Sequence, residues 1–146
     1  MSVDIREIAS RYREEFWNKG DLSVAEETIA PNCIYHINDP ITLASGTGPE
    51  AAKKAVSTYR RAFPDLHITI EDTIVEGNRV VVRWTARGTH MGELMGFAPS
   101  HMKVTVTGID IYHIAEGKIR EFWVNWDTMG FMQQLGLEPL AARALA

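Results

Sequence analysis

The sequence predicts an α+β fold, because two hydrophobic periods occupy different parts of the chain. Residues 5–63 carry apolar side chains at helical spacing, whereas residues 66–126 alternate apolar and polar side chains over four long runs. Two of the links between these runs are short and contain glycine, EGN and AEG, which is typical of antiparallel hairpins. Helices followed by a meander of strands favour α+β over alternating α/β units.

Three helices are predicted before the long strands. The first has apolar residues at helical spacing from residue 5 to residue 16 and stops at Gly20. The second begins at Ser23, which forms a capping-box pattern with Glu26, and it ends at Pro31. The third has Pro49 in its first turn, where proline fits best. The chain therefore begins with helices that each have one apolar side.

Strands and one last helix complete the prediction. The run CIYHI predicts a short strand, the turn-rich residues 38–49 a loop, and DTMGFMQQLG a final helix. Three-residue turns at EGN and AEG would set Ile68 opposite Trp84 and Asp110 opposite Phe122. One sheet face is then apolar and is expected to pack under the helices. The other is mostly polar but carries an apolar patch of Ile109, Ile111 and Trp123.

Composition limits the classes of function. A chain of 146 residues fits one domain spanning residues 1–146. The net charge of −4 and the lack of a Lys/Arg cluster argue against nucleic acid as a partner. No apolar run approaches the length of a membrane span, and the N-terminus lacks the apolar core of a signal peptide. We therefore expect a cytoplasmic protein with no membrane partner, in which the lone Cys33 is a buried thiol.

Five stretches spread along the chain resemble the SnoaL-like polyketide cyclases. They are NKGDLSVAEETIAPNCIYH, GPEAAKKAVSTYRRAFPDLHITIED, RWTARGTHMGELMGFAPS, GIDIYHIAEGKI and WDTMGFMQQLG. The resemblance implies an α+β cone, in which a strongly bent antiparallel sheet carries helices on its concave face. It also implies one deep pocket for a small, mostly apolar molecule, chemistry without a cofactor, and a homodimer built through the outer sheet face.

The same resemblance implies a catalytic carboxylate on the last strand. Cyclases of this family that close a ring by intramolecular aldol condensation carry it as the fourth residue of patterns such as E-H-W-D. The corresponding residues here are Glu121, Phe122, Trp123 and Val124. Both proton-carrying positions therefore hold apolar side chains, and the sequence predicts a poor aldol cyclase.

Three other residues are candidates for acid/base chemistry. Asp110 is the one carboxylate predicted on the apolar sheet face, where desolvation favours the protonated form. The alternative is an aspartate whose hydrogen bonds are satisfied, for example by the Tyr112 hydroxyl. His36 lies beside the loop expected to rim the cone, and His90 ends a strand at its mouth. Either histidine could instead have only a structural role in the core or in a loop.

Large side chains on the apolar face are predicted to form the walls of the pocket and to bind a flat or polycyclic molecule. They are Trp17, Trp84, Tyr112, Phe122, Val124 and Trp126. They could equally be plain core packing. No paired histidine spacing indicates a metal site, and no motif indicates a cofactor.

Three functions remain open from the sequence, and the pocket distinguishes them. A cavity lined by His36, His90 and Asp110 would favour an enzyme acting on a hydrophobic carbonyl or polycyclic compound, by isomerisation or hydrolysis if not by cyclisation. A cavity with Asp110 bonded away would favour a non-catalytic binder of an apolar metabolite. A filled cone would favour a dimerisation module.

Overall fold

A computed structural model describes residues 4–37 and 47–137. The helices are α1 (Ile5–Arg11), which continues as a π-helical segment (Tyr12–Trp17), α2 (Val24–Thr28), α3 (Gly48–Ala62) and α4 (Thr128–Gln134). The strands are β1 (Ile29–Ile37), β2 (His67–Glu76), β3 (Arg79–Thr89), β4 (Lys103–Ala115) and β5 (Lys118–Trp126). Most of the predicted loop at residues 38–49 falls outside the described residues.

The five strands form one curled sheet in the order β1-β5-β4-β3-β2. Strands β2 to β5 are antiparallel neighbours, as predicted, so the α+β class is confirmed. The expected bent antiparallel sheet has one exception, because the edge strand β1 pairs with β5 in parallel. A parallel pair needs a long crossover connection, and α3 with the whole β2–β4 meander separates these two strands in the chain.

The predicted strand register is displaced by two residues over most of the sheet. Asp110 pairs with Val124 rather than Phe122, and Trp84 pairs with Ile70 rather than Ile68. In the β4–β5 hairpin, a tighter turn and a β-bulge each shift the pairing by one residue, so the predicted faces are kept there. In β2, the bulge between Ile70 and Asp72 changes the alternation, so Thr73 lies opposite Val82 on the inward face.

Helix α2 departs from the prediction at its end and in its capping interaction, and α4 has a side-chain cap of its own. Helix α2 ends at Thr28, and Pro31 lies inside the edge strand β1, where a missing N–H is tolerated. The capping box at Ser23 does not form, because the Ser23 hydroxyl donates to Asp21 at 2.6 Å instead. Asp127 does cap α4, since its carboxylate accepts the backbone N–H of Gly130 at 2.8 Å.

The main core lies between the sheet and the helices. Strand β4 alternates strictly between buried and exposed residues from Lys103 to Asp110, as a strand with one wet face should. Its inward residues pack beneath Phe16 and Val56 from the helices, and Cys33 is buried as predicted. Within the described ranges, no helix is long and apolar enough to cross a membrane.

Candidate functional site

A cavity of about 110 Å³ lies between the sheet and the helices. Its walls come from the π-helical segment, α3, α4 and the inward face of β3, β4 and β5. Five of the six predicted wall residues line it, namely Trp17, Trp84, Phe122, Val124 and Trp126. Tyr112 does not, because its fully buried ring stacks behind Phe122 with the ring centres 5.0 Å apart. The cavity is therefore mostly apolar and aromatic.

A buried ion pair lies against this cavity. Arg13 donates from Nε to Asp110 Oδ2 at 2.8 Å and from Nη2 to Oδ1 at 2.7 Å. Arg13 is 4% exposed and Asp110 is 0% exposed. Two parallel hydrogen bonds between a guanidinium and a carboxylate are the strongest form of such a pair. The pair joins the π-helical segment to the middle of β4.

Asp110 has two further donors, so its predicted role as a free pocket carboxylate is not what the structure shows. Trp84 Nε1 donates to Oδ1 at 2.9 Å, and the Tyr112 hydroxyl donates to Oδ2 at 2.6 Å. Each carboxylate oxygen thus accepts two hydrogen bonds, which fits the ionised form and leaves no lone pair for a substrate. Asp110 also does not line the cavity. This is the alternative in which the aspartate is bonded away.

Gly108 allows the Trp84 contribution to this network. The two residues are partners across β3 and β4. A Cβ at position 108 would lie 2.3 Å from Trp84 Cζ2, so only glycine leaves room for the indole to lie across β4.

Arg13 was not among the predicted site residues, yet it lines the cavity. Its Cζ atom lies 4.8 Å from the ring centre of Trp84, 5.1 Å from that of Tyr12 and 5.3 Å from that of Trp17. Such contacts attract a cation electrostatically. Burial by itself would lower the pKa of Arg13, but the Asp110 carboxylate outweighs this and holds the pKa above its ordinary value. Arg13 is therefore a permanent cation in an aromatic cage.

The other polar groups on the wall are donors rather than bases. Burial raises the pKa of Tyr12 to about 12 and also raises that of Tyr35, so both hydroxyls stay protonated at neutral pH. The Tyr35 hydroxyl donates to the Gly48 carbonyl at 2.6 Å. Trp17 Nε1 is buried and makes no hydrogen bond of normal geometry among the described residues. It lies near the Tyr12 hydroxyl, and this proximity opposes the rise in the pKa of Tyr12. Among the described residues that line the cavity, none is Asp, Glu, His or Cys.

His36 lies on the outer side of the sheet rather than at the cavity. Its side chain is 44% exposed, and its Nε2 lies 2.7 Å from Glu121 Oε2. The ring stacks on Trp123 with centres 5.0 Å apart and planes 12° apart. The expected contribution of His36 to the pocket is therefore not met, since alternation along β1 turns it away from the helices.

His90 is buried but stands behind Phe63, with which it stacks at 5.4 Å, and it does not line the cavity. Its Nδ1 accepts the backbone N–H of Ser100 at 3.1 Å, so the proton of the neutral ring belongs on Nε2. Burial lowers the pKa of His90. The Gly92 carbonyl acts in the other direction, but it forms no hydrogen bond of normal geometry with Nε2. This environment matches the alternative of a histidine that braces the β3–β4 loop.

Metal binding finds no support in the geometry of the described residues, where His, Cys, Asp and Glu form no group of three that could hold an ion.

A curled sheet with helices on one face and an apolar cavity between them defines the class of α+β cones. Within that class, the chain belongs to the SnoaL-like polyketide cyclase family, whose sequence profile matches residues 7–135.

Several relatives share this similarity over most of their length. Nogalonic acid methyl ester cyclase from Streptomyces nogalater is 29% identical over 124 residues, which cover 82% of this chain and 89% of the relative. The structure of TsrD from Streptomyces laurentii aligns with a TM-score of 0.80 and 26% identity, covering 94% of this chain and 100% of TsrD. A candidate polyketide cyclase from Bacillus cereus aligns with a TM-score of 0.78 and 30% identity, covering 92% of this chain and 82% of its own.

Proposed function

We propose that the protein binds a small hydrophobic compound, aromatic or polycyclic, in the cavity between its sheet and its helices. The cavity itself is the observation that carries this proposal. Its wall combines Trp17, Trp84, Phe122 and Trp126 with one caged cation, Arg13. Flat aromatic surfaces suit a flat ligand, because stacking adds to the burial of apolar area. From the sequence, a cavity whose Asp110 is engaged by other side chains was expected to favour a binder over an enzyme, and this cavity is of that kind.

The scarcity of proton carriers supports binding without catalysis. Val124 occupies the position where related cyclases carry their carboxylate, and it lines the cavity with only 5% of its surface exposed. Phe122 beside it is equally apolar. General-base catalysis needs a group that can accept a proton within hydrogen-bond reach of the substrate. The protonated hydroxyls of Tyr12 and Tyr35 can donate a hydrogen bond, but they cannot act as general bases that take up a proton.

Family membership favours a second candidate, a cofactor-free enzyme acting on a hydrophobic carbonyl compound. A similar protein is a cyclase of nogalonic acid methyl ester. In such an enzyme the Arg13 guanidinium would polarise the carbonyl, and the reaction would depend on donors rather than on a wall carboxylate. Following the conversion of nogalonic acid methyl ester by chromatography decides between the two candidates. Ring closure at ordinary enzymatic rates, about 1–10³ s⁻¹, would establish the enzyme and overturn binding without catalysis.

Binding is tested directly with methyl-labelled protein and one- to three-ring aromatic ketones. We expect saturable NMR shifts at the cavity valines Val106 and Val124, and none at Ile109, which is 48% exposed on the outer face. Ala55→Phe should fill the cavity and abolish the shifts, because Ala55 lines it from α3. Lys54→Phe places the same ring on the exposed neighbour and serves as the matched control. A failure of all the ketones to move the valine signals would refute the proposal.

We also propose a homodimer through the outer sheet face. Ile109 and Trp123 lie there with the stacked ring of His36, and Arg79 approaches the Trp123 ring at 5.9 Å. An exposed apolar cluster on a sheet is typical of an interface. Light scattering at micromolar concentration measures the species directly, and a wild-type monomer would contradict this proposal.

A further inference from the structure

We propose that the cavity holds its ligand by a neutral carbonyl-type oxygen, bound by Arg13 Nη1 and Trp17 Nε1, which we call the donor pair. The inference rests on the proposed small-molecule function and names the chemical group that the cavity recognises. It concerns residues of the π-helical segment rather than the last-strand position that the family resemblance emphasises.

Arg13 supplies the first donor because of how it is held. Its Nε and Nη2 atoms both bond Asp110, and these two atoms share one edge of the planar guanidinium. Nη1 therefore faces away from the carboxylate, and no bond to it occurs within the ranges that the structure describes. Since Arg13 lines the cavity and is itself buried, an unbonded Nη1 has a ligand as its natural acceptor.

Trp17 supplies the second donor. Its indole N–H is buried without a hydrogen-bond partner of normal geometry among the described residues, and Trp17 lines the same cavity. Leaving a buried donor unsatisfied is costly, so a ligand acceptor would relieve a real penalty here. Both donors lie on the π-helical segment, an unusual conformation that is frequent at functional sites. The Arg13 Cζ atom is 5.3 Å from the Trp17 ring centre, so the guanidinium and the indole are neighbours on the cavity wall.

The charge of the site selects a neutral oxygen rather than an anion. The Asp110 carboxylate already compensates the positive charge of Arg13 at hydrogen-bond distance. Arg87 also lines the cavity, but it is exposed, whereas Arg13 and Asp110 are buried. A ligand carboxylate bound at Arg13 would therefore lie beside the Asp110 carboxylate in buried surroundings, where desolvation and like-charge repulsion are costly. A ketone, ester or quinone oxygen accepts both N–H groups without this penalty. Its apolar body can then lie against Trp84 and Phe122.

Three one-ring probes of similar shape separate these alternatives: acetophenone, ethylbenzene and benzoate. This cavity, of about 110 Å³, is of the same order as the apolar cavity of about 150 Å³ known to bind benzene, so the smallest aromatic probes are used first. The four tryptophans give four indole N–H signals in ¹⁵N NMR spectra. On titration with acetophenone, the Trp17 signal should move downfield more than those of Trp84, Trp123 and Trp126. Acetophenone should bind about 5–10-fold more tightly than ethylbenzene, which corresponds to one additional net hydrogen bond.

Trp17→Phe keeps an aromatic wall and removes the donor, so the preference for acetophenone over ethylbenzene should fall. Trp123→Phe removes an indole from the outer sheet face, away from the cavity, and should leave that preference unchanged. A Trp17 signal that stays in place while the Val124 methyls shift would overturn the donor pair but not the binding function. Tighter binding of benzoate than of acetophenone would show an anion site and refute the assignment of a neutral oxygen. No shift at any cavity signal with any probe would overturn both proposals.

Discussion

Among substitutions that keep the shape of a side chain, Asp110→Asn should be one of the most destabilising in this protein. The change keeps the size of the side chain but removes the charge that compensates Arg13. It also presents an amide NH₂ to donors, because both carboxylate oxygens accept two hydrogen bonds each. Breaking a buried ion pair from one side costs about 3–5 kcal/mol, since the remaining charge is left without compensation.

That loss is large on the scale of the whole protein. Globular proteins are stable by about 5–15 kcal/mol, so Asp110→Asn would remove a third or more of the total in most cases. The free energy of unfolding is measured by urea titration, with tryptophan fluorescence as the signal. Trp84 donates directly to Asp110, so its emission reports on this site.

Asp127→Asn is the matched control, because Asp127 caps α4 with its side chain and asparagine caps about equally well. We expect a change within about 0.5 kcal/mol for this control, as for ordinary surface substitutions. A loss below about 1 kcal/mol for Asp110→Asn would refute the reasoning, because it would mean that water or rearrangement solvates Arg13 in the folded state.

Three further predictions concern other parts of the molecule. Val124→Asp puts a carboxyl group into the apolar wall opposite Asp110. It should lower the free energy of unfolding by about 1–3 kcal/mol in urea titrations and raise the rate of aldol ring closure about 10²-fold or more. An unchanged rate would count against the family-based assignment of this position. Because burial lowers the pKa of His90, the unfolded chain binds more protons than the folded one below about pH 6.5. Stability should therefore fall as the pH drops through that value, and His90→Gln should flatten the fall; an identical pH profile would contradict this. Trp123→Glu should shift the proposed homodimer towards monomer in light scattering, whereas the exposed residue Glu71, changed to Gln, should not.

The class of the fold follows from the sequence because hydrophobic period is a property of each segment alone. Alternation along β3 and β4 placed Trp84, Asp110 and Tyr112 on the buried side, and the structure agrees. The parallel pairing of β1 was missed, because a short run such as CIYHI has no local signal for its direction relative to a strand about 90 residues later. The exact register was missed for a similar reason, since bulges leave little trace in a sequence.

The composition of the site was predictable only in part. Large apolar residues at inward positions were recognised as walls, because side-chain direction follows from the strand period. Arg13 was overlooked, since an arginine on an N-terminal helix is solvated in most proteins. Asp110 was the signal that pointed to such an arginine. A charged carboxylate among Val and Tyr on a buried strand face needs a cationic partner from another element. His36 was assigned to the pocket on family resemblance, and its position on the alternating strand β1 turns it outward instead.

The ion pair has a consequence for how the chain is made. Arg13 and Asp110 are 97 residues apart in the sequence. At a synthesis rate of about 5–20 residues per second, the guanidinium leaves the ribosome roughly 5–20 seconds before its partner carboxylate is added. During that interval Arg13 is solvated at no cost, but a helix docked early against the growing sheet would carry a buried, uncompensated charge. We therefore expect the N-terminal helix to dock on the sheet only after β4 has been synthesised, when nearly all of the cavity wall exists.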